Sequence, residues 1–187
     1  HKDLGFQKEG LIHITMNYRD RSGITHELAT LSIIDEFVQC GIFSITHEPY
    51  TQNEVHWEGK PDDFNPNFQV IKVGSKFLDA FKITLLKGNF IDEGNSDPED
   101  WTTPGNTAVI NEEAARIMGM DNPIGKKISI WNGVIYHDGK RGQKEMEIVG
   151  VVKNFQAASL RNPVLPMIIT LDGSKWNSYY YYARVKP

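Results

Sequence analysis

The sequence lacks most of the features that announce a chemistry. It has a single cysteine, Cys40, so no internal disulfide can form. Cys40 reads as part of an apolar helical stretch beside Phe37 and Val38, a setting that suits a small buried thiol better than a reactive one. There is no basic surplus: 20 Lys+Arg stand against 24 Asp+Glu, for a net charge of −4. Proteins that neutralise phosphates carry an excess of Lys and Arg, so this balance argues against nucleic acid as a partner. No apolar run approaches the roughly 18 residues needed to cross a bilayer. The longest, from Val164 to Ile169, is strand-sized and interrupted by Pro166. Lys2, Asp3, Lys8 and Glu9 break up any apolar core near the start, so there is no signal-peptide pattern there. What is present is a soluble segment of 187 residues. A chain of that length buries roughly 70% of its extended surface and needs neither disulfide nor metal to hold a core.

Catalytic patterns are missing in the same way. The stretch from Gly119 to Lys127 looks like a phosphate loop but has five residues between Gly119 and Gly125 where a P-loop has four. Pro123 removes an amide donor, and Lys127 stands where a magnesium-binding hydroxyl belongs. The acidic run Asp92–Asp100 lacks the alternating spacing of a calcium loop and reads as solvated surface. His1, His13, His26, His47, His56 and His137 are dispersed, with no pair at the i, i+4 spacing of a metalloprotease. Only His13 and His47, on strands that could be neighbours, leave a fold-assembled site open. No serine sits in a Gly-x-Ser-x-Gly elbow. Glu112 and Glu113 are explained as acidic residues in a positive first helical turn. Trp57, Trp101, Trp131 and Trp176 lie in or beside polar loops. They offer an aromatic platform for sugars or peptides, or, the preferred reading, cover the edges of a β-rich core. The expectation is a protein with no catalytic residues, no cofactor and no metal.

What the chain does have is an alternation of short elements. Leu11 to Met16 alternates apolar and polar as a half-buried strand. From Ile24 to Val38 the apolar positions Ile24, Leu28, Leu31, Ile34 and Val38 step by four, three, three and four. That spacing predicts a helix capped at Thr25 and closed by Gly41. Ile42 to His47 then reads as extended, giving a strand–helix–strand unit. Pro49 to Pro66 is polar and broken by prolines. Strands follow at Phe68–Val73, Ile83–Leu86, Ala108–Ile110, Met146–Val152, Ile168–Leu171 and Tyr179–Val185. Ser75 is placed to cap a short helix carrying Phe77, Leu78 and Phe81. Asn111 is placed to cap another, ended by Gly119. Asn132-Gly133, between Ile128–Trp131 and Val134–Tyr136, is the strongest hairpin signal. The fold class is α+β, with about nine strands and three helices.

Five consecutive segments carry a resemblance. They are Lys2–Phe6 with Lys8–Ile12, Phe77–Phe90, Ala108–Arg116, Asn122–Lys126 and Ile148–Phe155. In this order they resemble the MacB-like periplasmic core domain of ABC-transporter permeases of the MacB/FtsX type. Gly88, Phe90, Asn111, Ala115, Pro123, Gly125, Gly150 and Val151 stand at the family's motif positions, and each reads as an architectural part. Asn89 departs from the pattern, replacing an arginine that commonly follows the glycine. Relatives continue beyond the point matching Pro187, through a further helix and strand.

The resemblance implies a porter-like βαβ lobe (residues 1–49 plus 148–187) and an inserted strand-rich, sabre-like lobe (residues 50–147). It implies a periplasmic domain standing on transmembrane helices outside this sequence, dimeric in the full transporter, with a separate cytoplasmic ATPase. The domain would pass ATP-driven movement to a periplasmic protein or an exported substrate. Two other readings stand beside it: a secreted peptide- or glycan-binding module using the tryptophans, and a metal hydrolase assembled from scattered histidines and carboxylates.

Overall fold

The structure, a computed structural model, describes residues 4–15, 26–28, 30–41, 50–91, 106–156, 163–171 and 180–186. Its elements run β1 (Leu11–Thr15), β2 (Ile34–Cys40), β3 (Thr51–Gln52), β4 (Val55–Trp57), β5 (Phe68–Val73), α1 (Phe77–Phe81), β6 (Leu85–Gly88), β7 (Thr107–Asn111), α2 (Glu112–Ile117), β8 (Lys127–Ile135), β9 (Arg141–Val152), β10 (Met167–Leu171) and β11 (Tyr180–Val185). The eleven strands among the described residues join one mixed sheet in the order β1-β11-β2-β5-β10-β7-β9-β8-β4, with β3 also on β5 and β6 also on β9.

The apolar runs of the central strands decide this arrangement. Successive strand residues point to opposite faces, so a run that is apolar at every position demands cover on both. In β5, Val70 enters one core and Ile71 the other; Ile168 and Ile169 of β10 divide the same way, as do Ala108 and Val109 of β7. The first core lies under α1, where Phe77, Phe81, Val73, Ile169 and Tyr182 meet. The second lies under α2, where Ala114 and Met118 meet Phe68, Ile110, Ile128 and Ile148. A three-layer arrangement with the sheet in the middle follows. Each buried Ile or Phe contributes about 1.5–3 kcal/mol to holding it.

The N-terminal unit is a strand–helix–strand, but its boundaries correct the helix expected over Ile24–Val38. Residues 26–28 and 30 are helical, whereas Ile34 to Cys40 is strand β2. Cys40 is buried as expected, though on a strand. The misreading has a physical cause. β2 is buried on one face, where Val38 and Cys40 enter the α1 core, and only half-buried on the other, where Phe37 stacks on Tyr181 at 5.7 Å while Asp35 is exposed. With polar Glu36 on the inner face and apolar Phe37 on the outer one, the sequence shows no clean period of two to set against a helical one. β1 and β2 both pair antiparallel with β11 between them, so they run parallel to each other. The strand expected at Ile42–His47, the turn at Asp20–Gly23 and the cap at Thr25 lie outside the described residues.

The hairpin also differs from expectation. β8 runs straight through Asn132-Gly133, with a register irregularity between Trp131 and Ile135. The chain turns at residues 136–140 instead. There the Tyr136 amide donates to Lys140 O at 2.9 Å and the Asp138 carboxylate accepts from the Lys140 amide at 3.0 Å. Gly139, at φ +80°, takes the left-handed position. Asn-Gly suits an irregular strand as well as a turn, and Asp138 adds a side-chain bond that secures the turn. The polar stretch Pro49–Pro66 holds two short strands, β3 and β4. α1 starts after Lys76 with no side-chain cap, so Ser75 does not fill that role.

Candidate functional site

β9 is the longest strand, and its far side is shared end to end by two partners. β8 pairs with residues 141–147 and β6 with residues 150–152. The family-like motif residues gather where one partner hands over to the other. Gly88 of β6 sits opposite Gly150 of β9. A side chain at Gly88 would place its Cβ 2.1 Å from Val149 O, and one at Gly150 would sit 2.2 Å from Asn89 O. Only glycine at both positions lets these backbones touch. β7, on the other side, skips a residue here: Ala108 faces Ile148 and Val109 faces Gly150, leaving Val149 as a bulge. The Val149 carbonyl is taken by the Asn89 amide at 2.9 Å. From the β8 side, the Gly125 amide donates to Ile148 O at 2.8 Å, and Lys126 O accepts from the Ile148 amide at 2.9 Å. Pro123, buried, supports that turn by accepting from the Lys126 amide at 3.0 Å. Phe90 packs on the α1 core, and Ala115 and Val151 on the α2 core.

Asn111 closes the junction from above. It is fully buried and ends β7 while capping α2. Its Oδ1 accepts from the amides of Ala114 (2.9 Å) and Met167 (2.8 Å), and its Nδ2 donates to Leu165 O at 2.9 Å. One side chain thereby joins β7, α2 and the approach to β10. Asn154, just past β9, makes a reciprocal pair with the same helix start. Its Oδ1 accepts from the Glu113 amide at 3.0 Å, and its own amide donates to the Glu112 carboxylate at 2.9 Å. Glu113 also receives Arg116 at 2.9 and 2.6 Å, and those bonds hold its carboxyl below the usual carboxylate range. The two glutamates anchor α2, as the helix-dipole reading requires.

A second assembly ties the opposite end of the sheet. Residues 4–10 run across the first core as a strap. Leu4 O accepts from the Gln156 amide, the Gln7 amide donates to Phe81 O at the end of α1, and Gly10 O accepts from the Val185 amide. Arg184 of β11, buried to 4% exposure, holds this strap. Its guanidinium donates to the carbonyls of Ala80, Glu9 and Gln7. Burial pushes its pKa down from the ordinary arginine value, offset in part by the charges of Asp35 and Glu9, and arginine stays protonated at any physiological pH. The sequence reading gave Arg184 and Asn154 no role. A lone cation inside Tyr180–Val185 was the available signal, since a charge in a buried strand needs fixed partners.

The described histidines do not converge. His13 stacks on Tyr182 at 4.9 Å, while His26, His56 and His137 are exposed on separate elements; His1 and His47 lie outside the described residues. Among the described residues, no group of three His, Cys, Asp or Glu is placed to hold a metal. Trp57 is buried in the second core, and Trp131 carries the Arg141 guanidinium over its ring at 4.9 Å. Trp101, Trp176 and the acidic run Asp92–Asp100 lie outside the described residues. An open groove of about 1030 Å³ runs between β4 and the segment after α2, lined by Trp57, Met118, Met120, Lys126, Lys127 and Glu145. Lys127 and Glu145 pair on its rim at 2.6 Å. The loop that resembled a phosphate cradle is the turn into β8.

Comparison with known proteins agrees with this architecture. The periplasmic region of MacB from Actinobacillus actinomycetemcomitans matches with a TM-score of 0.57 at 13% identity, over 97% of this chain and 77% of that one. The extracellular domain of the noncanonic ABC-type transporter YknZ from Gram-positive bacteria matches with a TM-score of 0.57 at 10% identity, over 95% and 82%. At such identities the likeness speaks for the fold alone. Among curated proteins none matches the chain. The sequence profile of the MacB-like periplasmic core domain matches residues 3–187. The chain therefore belongs to the MacB-like periplasmic core domain family of ABC-transporter permeases.

Proposed function

We propose that this periplasmic domain acts as a mechanical relay, passing movement of the permease's membrane helices to a periplasmic protein or exported substrate, with no chemistry of its own. The observation that carries the reading is the strap. Residues 4–10 are joined through one buried guanidinium to α1 and β11, so a displacement at the strap is passed to the sheet rather than absorbed in a loose linker. The glycine-lined junction then keeps β6, β7, β8 and α2 in register along β9. Such fixed contacts suit force transmission and offer no open coordination position or nucleophile–base pair.

The division into residues 1–49 plus 148–187 and residues 50–147 is part of the same proposal. It is supported by β9, whose partner changes from β8 to β6 between residues 147 and 150. β1, β2 and β11 lie at one end of the sheet and β8 and β4 at the other, while β5 and β7 interleave with β10. The two parts thus share one sheet. A cytoplasmic ATPase and a second permease copy complete the machine in this proposal.

The test uses the full-length transporter with its ATPase, reconstituted in nanodiscs and carrying a spin label at the exposed His137 position of each copy. The distance distribution between the labels is expected to shift between the nucleotide-free and ATP-trapped states, and Arg184→Met is expected to blunt the shift. Identical distributions in both states of the unmodified transporter overturn the relay.

A further inference from the structure

Arg184 fastens the rear of the strap, and a separate contact fastens its front. Leu4 O accepts from the Gln156 amide at 2.8 Å, and Gly5 packs directly on the chain just past β9. A Cβ at Gly5, which sits at φ +73°, would stand 2.2 Å from Asn154 O and 2.7 Å from Phe155 Cα. So close an approach leaves no slack, and a shift of the strap at this point meets the Asn154 backbone at once. Phe155, 1% exposed, is packed in the first core with its ring 6.0 Å from that of Phe77, which keeps the segment from yielding.

Asn154 faces two ways. Its carbonyl bears Gly5, while its side chain accepts from the Glu113 amide at 3.0 Å and its own amide donates to the Glu112 carboxylate at 2.9 Å. α2 is only six residues long, too short to hold itself as a helix, so its placement depends on the groups that take its first-turn amides. Asn111 takes the Ala114 amide from the sheet, and Asn154 takes the Glu113 amide from the segment beneath the strap. Met118 and Met120, which follow α2, line the open groove. An unbroken line of contacts therefore runs from the front of the strap through Asn154 to α2 and on to that surface.

We propose that Asn154 is a positioning residue of the relay, coupling the front of the strap to α2 by a route that does not pass through Arg184. Its purpose rests on the relay reading, whereas the coupling itself belongs to this chain alone. Arg184 ties residues 7–10 to α1 and β11 on one face of the sheet. Asn154 ties residues 4–5 to α2 and the second core on the other. One strap thus acts on both layers of helix through two independent holds.

The test is amide hydrogen exchange by NMR on the 187-residue chain, with rates referred to amides of the β5–β10 pairing, which report global opening. Gly5→Ala is expected to speed exchange at the Gln156, Asn154 and Glu113 amides by about tenfold, with the Val185 amide unchanged. Arg184→Met is expected to do the reverse, speeding Gln7 and Val185 and leaving Glu113 alone. A coupling between two sites is reciprocal, so Asn154→Ala, which frees the Glu113 amide, is expected to speed Gln156 by about fivefold, the size of one lost helix cap. Faster exchange at Gln156 in Gly5→Ala with Glu113 unmoved overturns the coupling, as does a rise at Glu113 in Arg184→Met equal to that in Gly5→Ala. Should Gly5→Ala fail to fold, Asn154→Ala decides: no rise at Gln156 overturns the proposal. The readout uses neither nucleotide nor membrane. A failed coupling therefore leaves the relay through Arg184 standing, and spin labels that do not move in the transporter overturn the relay without touching these rates.

Discussion

Asn111 satisfies three buried backbone groups with one amide side chain, so its loss should cost more than an ordinary helix cap. Asn111→Ala is expected to destabilise the domain by about 2–4 kcal/mol, the sum of a lost cap and unpaired buried groups, read as a lower denaturant midpoint with an unchanged slope. The glycines allow a sharper contrast. At Gly88 and Gly150 an added Cβ strikes backbone oxygen, whereas at Gly125 (φ +81°) it meets nothing within 4 Å. Gly125→Ala should cost about 1–2 kcal/mol from backbone strain alone, and Gly88→Ala and Gly150→Ala distinctly more, by the same measurement. Glu113 gives a pH signature. Its folded pKa is depressed, chiefly by the Arg116 hydrogen bond, so its contribution is present above the unfolded carboxyl pKa and is lost as pH falls through the folded one. Arg116 is 68% exposed, so solvent screens the pair and the effect on stability is small. An NMR titration of Glu113 should show a midpoint that rises toward the ordinary value in Arg116→Gln. Much of this was legible in the sequence. Asn111 before two glutamates is a cap by residue type, and the glycines stand out in family-like segments. That Gly88 faces Gly150 was not, because only strand pairing brings positions sixty residues apart into contact.

At the level of elements, the strands with unmixed apolar runs were readable and the ambiguous ones were not. β5, β7, β9, β10 and β11 fall close to their expected places, because Val, Ile and Tyr runs of strand length leave few alternatives. β2 reads as helix because Glu36 and Phe37 break the alternation, and Ile34 and Val38 happen to fall at a helical spacing. β3 and β4 escaped because two- and three-residue strands carry no period at all. Between the two turn signals, Asn132-Gly133 and Asp138-Gly139, propensity alone favours neither; the Asp138 bond to the Lys140 amide marks the one the chain uses. Gly139→Ala should accordingly cost about 1–2 kcal/mol. Hydrogen exchange should be faster for the Tyr136 and Lys140 amides in that variant, while the β7–β9 pairing stays protected.

For the molecule as a whole, Arg184 ties β11 to two distant segments, the strap and α1. Arg184→Met would leave the carbonyls of Gln7, Glu9 and Ala80 without their charged donor. A loss of about 3–5 kcal/mol is expected, since hydrogen bonds to a charged group are each worth about 1.5–3 kcal/mol and the aliphatic replacement recovers part by burial. The test is chemical denaturation, with exchange at the Gln7 and Val185 amides rising first. The cost should be the same at pH 5 and pH 9, because the guanidinium is charged at both. One arrangement also bears on how the chain comes to be folded. β5 and β7 are joined only through β10, and the Thr170 hydroxyl that bonds Ile71 O is 99 residues away in sequence. Until β10 is in place, no described strand joins β5 to β7. Contacts so far apart slow folding, so refolding of the isolated domain belongs on the slow side for its size.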